Sequence, residues 1–171
     1  MMRLRGLIRH RKGNSLIETA LFLPLFVLLL MGTAQIGRIT YVYYSVQKTL
    51  YNLARLVGTR QGANLCDAND PDILNAKNFA LSGSSDGGDP IVAGLNADMI
   101  SIRLERQEAD SDILSECECS ITGCDTSLGG QPPQYVVVSI PDGFPITVSI
   151  PYLTLQTLTF RLSVRVPFGG L

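Results

Sequence analysis

Histidine is almost missing from this 171-residue sequence, and its single copy, His10, stands in an N-terminal basic cluster. Beyond that cluster no imidazole is available to activate a serine or cysteine nucleophile, or to complete a mixed Cys/His zinc site. Acids are missing from the start of the chain. Arg3, Arg5, Arg9, Arg11 and Lys12 all precede Gly13, and no Asp or Glu does. Charge is scarce overall, at 17% of residues against about a quarter in soluble domains. Taking those five cations from the 14 basic residues leaves 9 against 15 acids, so the remainder carries −6. That sign opposes nucleic-acid binding by phosphate neutralisation. Charge is absent altogether from the 19 residues between Glu18 and Arg38, and proline from Leu25 to Asp70.

What fills those gaps is an apolar segment. As a helix, 19 residues cover about 28 Å, close to the ~30 Å hydrocarbon core of a bilayer. The cations stand before the segment, so the positive-inside rule places residues 1–13 in the cytoplasm and the chain after about residue 38 across the membrane. Pro24 removes one backbone donor inside the run and is expected to kink or loosen it. Past Arg38 the pattern changes but stays helical. Ile39, Val42, Val46, Leu50, Leu53 and Val57 follow at gaps of three and four, an apolar stripe at helical period. Gly58 and Gly62 offer a stop. One helix is expected from about Asn14 to about Val57, half in lipid and half in water with one apolar face. That face needs cover, either from another subunit or from the chain's own C-terminal domain. A cleaved signal peptide is the rival reading, with Thr19 to Met31 as its apolar core and Gly32-Thr33-Ala34 as the cut. It leaves Glu18 without a purpose and does not explain a helical pattern that continues past Ala34.

The run Lys12-Gly13-Asn14-Ser15-Leu16-Ile17-Glu18 resembles a type IV prepilin processing site, in which a basic leader ends in glycine and a glutamate stands fifth after the cut. The continuation to Arg55 resembles the TadE-like pilins of tight-adherence (Flp-type) pilus systems. The Leu23-Pro24 step, the Gly37-Arg38 pair and the tyrosine-rich turn before Ala54-Arg55 carry the likeness. Thr19 stands where that family commonly has an aromatic residue, and Gln35 where a glutamate often precedes the Gly-Arg pair. The resemblance implies a prepilin peptidase cutting between Gly13 and Asn14. It also implies other pilin subunits and an inner-membrane assembly platform as partners, beside the lipid bilayer. The expected location is the bacterial inner membrane, single-pass, with the C-terminal domain periplasmic or carried into a pilus. Physical logic runs alongside. The cut removes all five leader cations and frees an α-amine at Asn14. Coulomb attraction in a low dielectric favours pairing that amine with a Glu18 carboxylate, either its own, at i and i+4 in one helix, or that of a neighbouring subunit. Glu18 also lies in the first turn, where the helix dipole favours an anion. Glu18, Pro24, Arg38, Ile39, Val42, Val46 and Leu50 are thus the candidate assembly positions.

The remaining residues, 61–171, read as an α+β domain on the helix, expected to be a small antiparallel sheet. "DPDILNAKNFAL" is a short helix with Asp70 as N-cap and Pro71 in its first turn. Met99 to Glu105 and Tyr135 to Ile140 are strands, and Ile146 to Ile150 is another after the Pro141-Asp142-Gly143 turn. Leu158, Phe160, Leu162, Val164 and Val166 put a long strand at 158–166, with a bulge expected near Gln156-Thr157. Four cysteines, Cys66, Cys117, Cys119 and Cys124, follow the apolar segment and suggest disulfides in a translocated domain. On a strand Cys117 and Cys119 face one side, so they are expected to take different partners, with one of the three later cysteines bridging to Cys66. The one-residue gap at Cys117-Glu118-Cys119 suits neither zinc nor a redox pair. Asp67, Asn69, Asp70 and Asp72 are oxygen-rich, as are Asp86 and Asp89, but Pro71 spoils calcium-loop spacing. No cofactor, metal or catalytic residue is expected. The functional expectation is a minor pilin or pseudopilin processed after Gly13. The alternatives are an uncut membrane-anchored binding domain or a soluble protein released after Ala34.

Overall fold

In the computed structural model, the structure describes residues 11–60, 62–108, 112–147, 149–150, 153–154 and 157–169. Helix α1 (Arg11–Thr59) is 49 residues of unbroken helix, roughly 73 Å at the standard rise. It is already helical at Arg11, the first described residue, three residues before the expected start. Pro24 is carried inside it, with helix on both sides. Thr33 and Thr40 fold their hydroxyls back onto the Leu30 and Ile36 carbonyls at 2.9 and 2.8 Å, so each hydroxyl is satisfied within its own helix. The helix ends as Arg60 N–H donates to the Val57 carbonyl and Gly62 takes a left-handed φ of +80°.

Helix α2 (Pro71–Ser82) is capped as its sequence dictates. The Asp70 carboxylate accepts from Asp72 N–H, and Gly83 closes the other end in the left-handed region. Strands β1 (Ser101–Gln107), β2 (Leu114–Glu116), β3 (Tyr135–Ser139) and β8 (Ser163–Pro167) form an antiparallel sheet in the order β2-β1-β3-β8. Its inner face is built in rows, Ile102 opposite Val138 opposite Val164, and Leu104 opposite Val136 opposite Val166. Against this face α1 lays its stripe. Val46, Leu50, Leu53 and Val57 are 0% exposed, with Ala54 beside them, and Ile73, Ala76, Ala80 and Leu81 of α2 close the side. On the outer face Arg103, Val137 and Arg165 form a row. Val137 is nonetheless buried, as expected where the stems of the two flanking arginines lie over it. Their charged ends reach Glu116 at 3.6 Å and Glu105 at 2.7 Å.

Two strand expectations need correcting. The strand expected over Ile146 to Ile150 is two short ones, β4 (Phe144–Ile146) and β5 (Ser149–Ile150). The long strand expected over 158–166 is broken at Arg161–Leu162 into β7 (Leu158–Phe160) and β8. The alternation itself survives from Leu162 to Val166, but β7 pairs with β4 away from the main sheet. Strand β6 (Leu153–Thr154) pairs with β5. The bulge expected near Gln156-Thr157 lies at a position outside the described residues. Periodicity could not reveal the break, because two strands in phase read as one.

The cysteines pair as Cys66–Cys119 and Cys117–Cys124, with Cα atoms 5.5 and 5.6 Å apart. Cys117 and Cys119 do take different partners and Cys66 is bridged to one of them. They lie past the end of β2, however, and not on a strand. The first bridge spans 53 residues, for which chain entropy gives about 4 kcal/mol; the second spans 7, worth about 2 kcal/mol on the same model.

Candidate functional site

The structure divides α1 into two chemically different halves. From Leu16 to Leu30 every residue is exposed, and Leu16, Ile17, Leu21, Phe22, Leu23, Leu25 and Phe26 are large and apolar. A helix apolar all round, with none of its most apolar window buried, has no protein neighbour to hide it and matches a membrane span in length and composition. From Val46 onward the same helix is one wall of the domain core.

The expected assembly positions fall on both halves. Glu18, Pro24 and Arg38 are exposed, whereas Ile39 and Val42 are partly buried against the core. Val46 and Leu50 are fully buried within the chain itself. The chain's own sheet therefore covers the stripe from Val46 to Val57. Of the two covers expected for that face, the chain's own domain is the one that supplies it from Val46 to Val57.

At the expected processing segment, Gly13 and Asn14 lie within α1, close to the first described residue. Glycine is a weak helix former. A peptidase needing an extended chain at Gly13-Asn14 would have to unwind α1 there, and Gly13 lowers that cost. One turn on, the Glu18 side chain is exposed and has no ion pair or hydrogen bond among the described residues. A carboxylate at the end of an apolar span, without a partner among the described residues, is costly to place in lipid and open to a cation from a neighbour.

The acidic cluster from Asp67 to Asp72 is structural. Asp70 accepts from Asn64 N–H at 3.0 Å and Asp72 N–H at 2.8 Å. The Asn64 bond, with lesser help from the Asp72 and Ile73 amides and Arg60, holds its carboxyl below the usual range despite some desolvation. Asp67 accepts from Asn69 N–H, and Asp72 pairs with Arg60 at 2.6 Å. Among the described residues no group of three or more His, Cys, Asp or Glu is placed to hold a metal ion. A polar groove of about 500 Å³ is lined by Arg106, Glu116, Glu118, Thr122 and Gln134, and its Cys117 is held in a disulfide. Gly83-x-Ser85-x-Gly87 has the spacing of a nucleophile elbow that sequence reading passed over. It follows α2 as an exposed turn, where an elbow needs a strand before it.

Comparison with known proteins adds one finding. The TadE family model, described as TadE-like protein, matches residues 13–55. No curated protein and no solved structure matches the chain. The matched segment opens at Gly13, contains Glu18 and all of the exposed apolar helix, and closes inside the buried stripe. The part of this chain that builds its membrane-grade stem, residues 13–55, is TadE-like.

Proposed function

We infer that the chain is a minor pilin or pseudopilin of a tight-adherence pilus system, structural in role and not an enzyme. In this reading a prepilin peptidase cuts after Gly13, the stem holds the subunit in the inner membrane with its domain on the periplasmic side, and assembly extracts it toward other pilin subunits. One observation carries the reading. A TadE-like helix is bare and apolar over its first half, is locked into a folded domain over its second, and near its start carries a carboxylate, Glu18, that has no partner among the described residues and could meet a neighbour's new amine.

Two experiments test it. Mass spectrometry of the protein isolated from cells should find Asn14 as the first residue. Met1 there means an uncut anchor and Gln35 a secreted protein, and either outcome sinks the processing step. Glu18→Ala should insert into membranes as the native chain does yet be depleted from sheared pili. Wild-type incorporation of that variant would remove the pairing role assigned to Glu18. A bulky residue at Gly13 should block the cut, with uncleaved chain accumulating in the membrane.

A further inference from the structure

The two disulfides cross. In chain order the cysteines are Cys66, Cys117, Cys119 and Cys124, and the bridges join the first to the third and the second to the fourth. Oxidation in order of appearance gives Cys66–Cys117 and Cys119–Cys124 instead, and the fold contains neither. Chain proximity does not correct this. Cys124 follows Cys119 by five residues and Cys117 by seven. Loop closure weakens as the 3/2 power of loop length, so the wrong short bridge is favoured by about 1.7-fold.

The fold does select the crossed pairing, but it selects late. Cys124 is 3% exposed inside the core, and Cys66 and Cys117 pack against that core. Cys117 N–H donates to the Leu104 carbonyl of β1 at 2.9 Å, which holds Cys117 beside the sheet. The Glu118 carbonyl accepts from Ser120 and Cys124 N–H at 3.0 and 2.9 Å, a turn that brings Cys124 back to Cys117. Cys119 is left exposed, where it meets Cys66. The core that receives Cys124 also needs Val136 and Val138 of β3 and Val166 of β8. All three follow Cys124 in the sequence. A chain delivered across a membrane from its N-terminal end therefore presents four thiols to oxidation before the strands that sort them arrive.

We propose that this chain is a substrate of a thiol–disulfide isomerase, which converts the order-of-appearance bridges into the crossed ones before the domain closes. This rests on the proposed delivery of the domain to an oxidising periplasm. Each first bridge forms as two thiols lose two electrons and two protons to a disulfide-bearing oxidase of that compartment. The isomerase then acts without net redox change. Its thiolate attacks Cys117 Sγ, breaking the Cys66–Cys117 bond and releasing the Cys66 thiolate. That thiolate attacks Cys119 Sγ and releases the Cys124 thiolate. The Cys124 thiolate attacks Cys117 Sγ and returns the isomerase thiolate. Two disulfides stand at the start and two at the end. A misbridged chain cannot bury Cys124 against Cys117, so its core stays open and its bridges stay within reach.

The test expresses the full chain in a Gram-negative host with and without its periplasmic disulfide isomerase. Free thiols are blocked with N-ethylmaleimide at lysis, and bridges are assigned by tandem mass spectrometry after cleavage at Glu118. With the isomerase, Cys66–Cys119 and Cys117–Cys124 should be found. Without it, the crossed pairing should drop to about a third of the chain or below, the share that loop length alone allots to Cys117–Cys124. The double variant Cys66→Ser/Cys119→Ser has one bridge to make and no choice of partner, so it should form Cys117–Cys124 equally in both hosts. A double variant that needs the isomerase overturns the sorting role. Crossed bridges at full yield without the isomerase overturn the proposal and leave periplasmic delivery standing. Order-of-appearance bridges in both hosts overturn it as well, since no isomerase then acts on the chain. Four blocked thiols in both hosts mean that the domain never reaches the oxidising side, which overturns both.

Discussion

At the scale of single residues, the carboxylates show how position decides role. Glu18 and Asp70 have the same acidic chemistry, but Asp70 has its acceptors filled by its own chain and Glu18 has not. Because Asn64 N–H and the start of α2 lower the Asp70 pKa from 3.8, the sign of its pH effect is fixed. The stability it contributes is present in full above the unfolded value and is lost as pH falls through the lower folded one. Thermal unfolding followed from pH 7 to pH 2 should therefore show an acid limb. Asp70→Asn should be less stable at pH 7, since an amide has one oxygen for two donors, and its acid limb should be shallower. An unchanged limb would assign acid sensitivity to other carboxylates. Sequence showed Asp70 as a cap because the cap lies two residues from its donor. The Asn64 bond was not legible, because it closes a loop whose path no local pattern encodes.

At the scale of elements, the short arm formed by β4 paired with β7 depends on one turn. Gly143 has φ +79°, and a Cβ there would land on the Thr159 methyl and press on Arg161 and the Phe160 carbonyl at 3.3 Å. Gly143→Ala should cost about 1–3 kcal/mol from the strained backbone alone, read as a lowered midpoint in chemical denaturation. The main sheet should resist longer than the arm, so amide exchange should rise first at β4 and β7. An unaltered midpoint would mean that the turn relaxes freely. The elements show where sequence reading succeeded and where it stopped. The helices α1 and α2 and the strands β1 and β3 were visible, because each carries its own period and its own caps or turns. The split of β7 from β8 was invisible, since Phe160 and Leu162 keep phase across a change of sheet. Cysteine spacing suggested different partners for Cys117 and Cys119. Choosing between Cys119 and Cys124 for Cys66 needed the fold of the loop after β2.

At the scale of the whole molecule, one helix serves two solvents. The core stripe begins only eight residues after Arg38, so the domain does not exist without the helix that anchors it. A chain beginning at Gln35 should fold as a soluble domain with both disulfides formed. One beginning at Thr59 should not, having lost Val46, Leu50, Leu53, Ala54 and Val57 from its core. Circular dichroism and thiol titration distinguish the two, and a folded Thr59 chain would contradict the described core. The apolar helix that carries the candidate positions was legible because Glu18, the charge-free run and Arg38 follow one another in the sequence. The cover over Val46 to Val57 is contributed by strands some eighty residues and more away, and no window of sequence joins them. Since α1 runs as unbroken helix from its bare apolar half into the core, stem and head share a single shaft. On the proposed reading, whichever side of that shaft is gripped within a bilayer also sets the compass bearing of Arg103, Arg165 and Glu116 on the sheet's outer face.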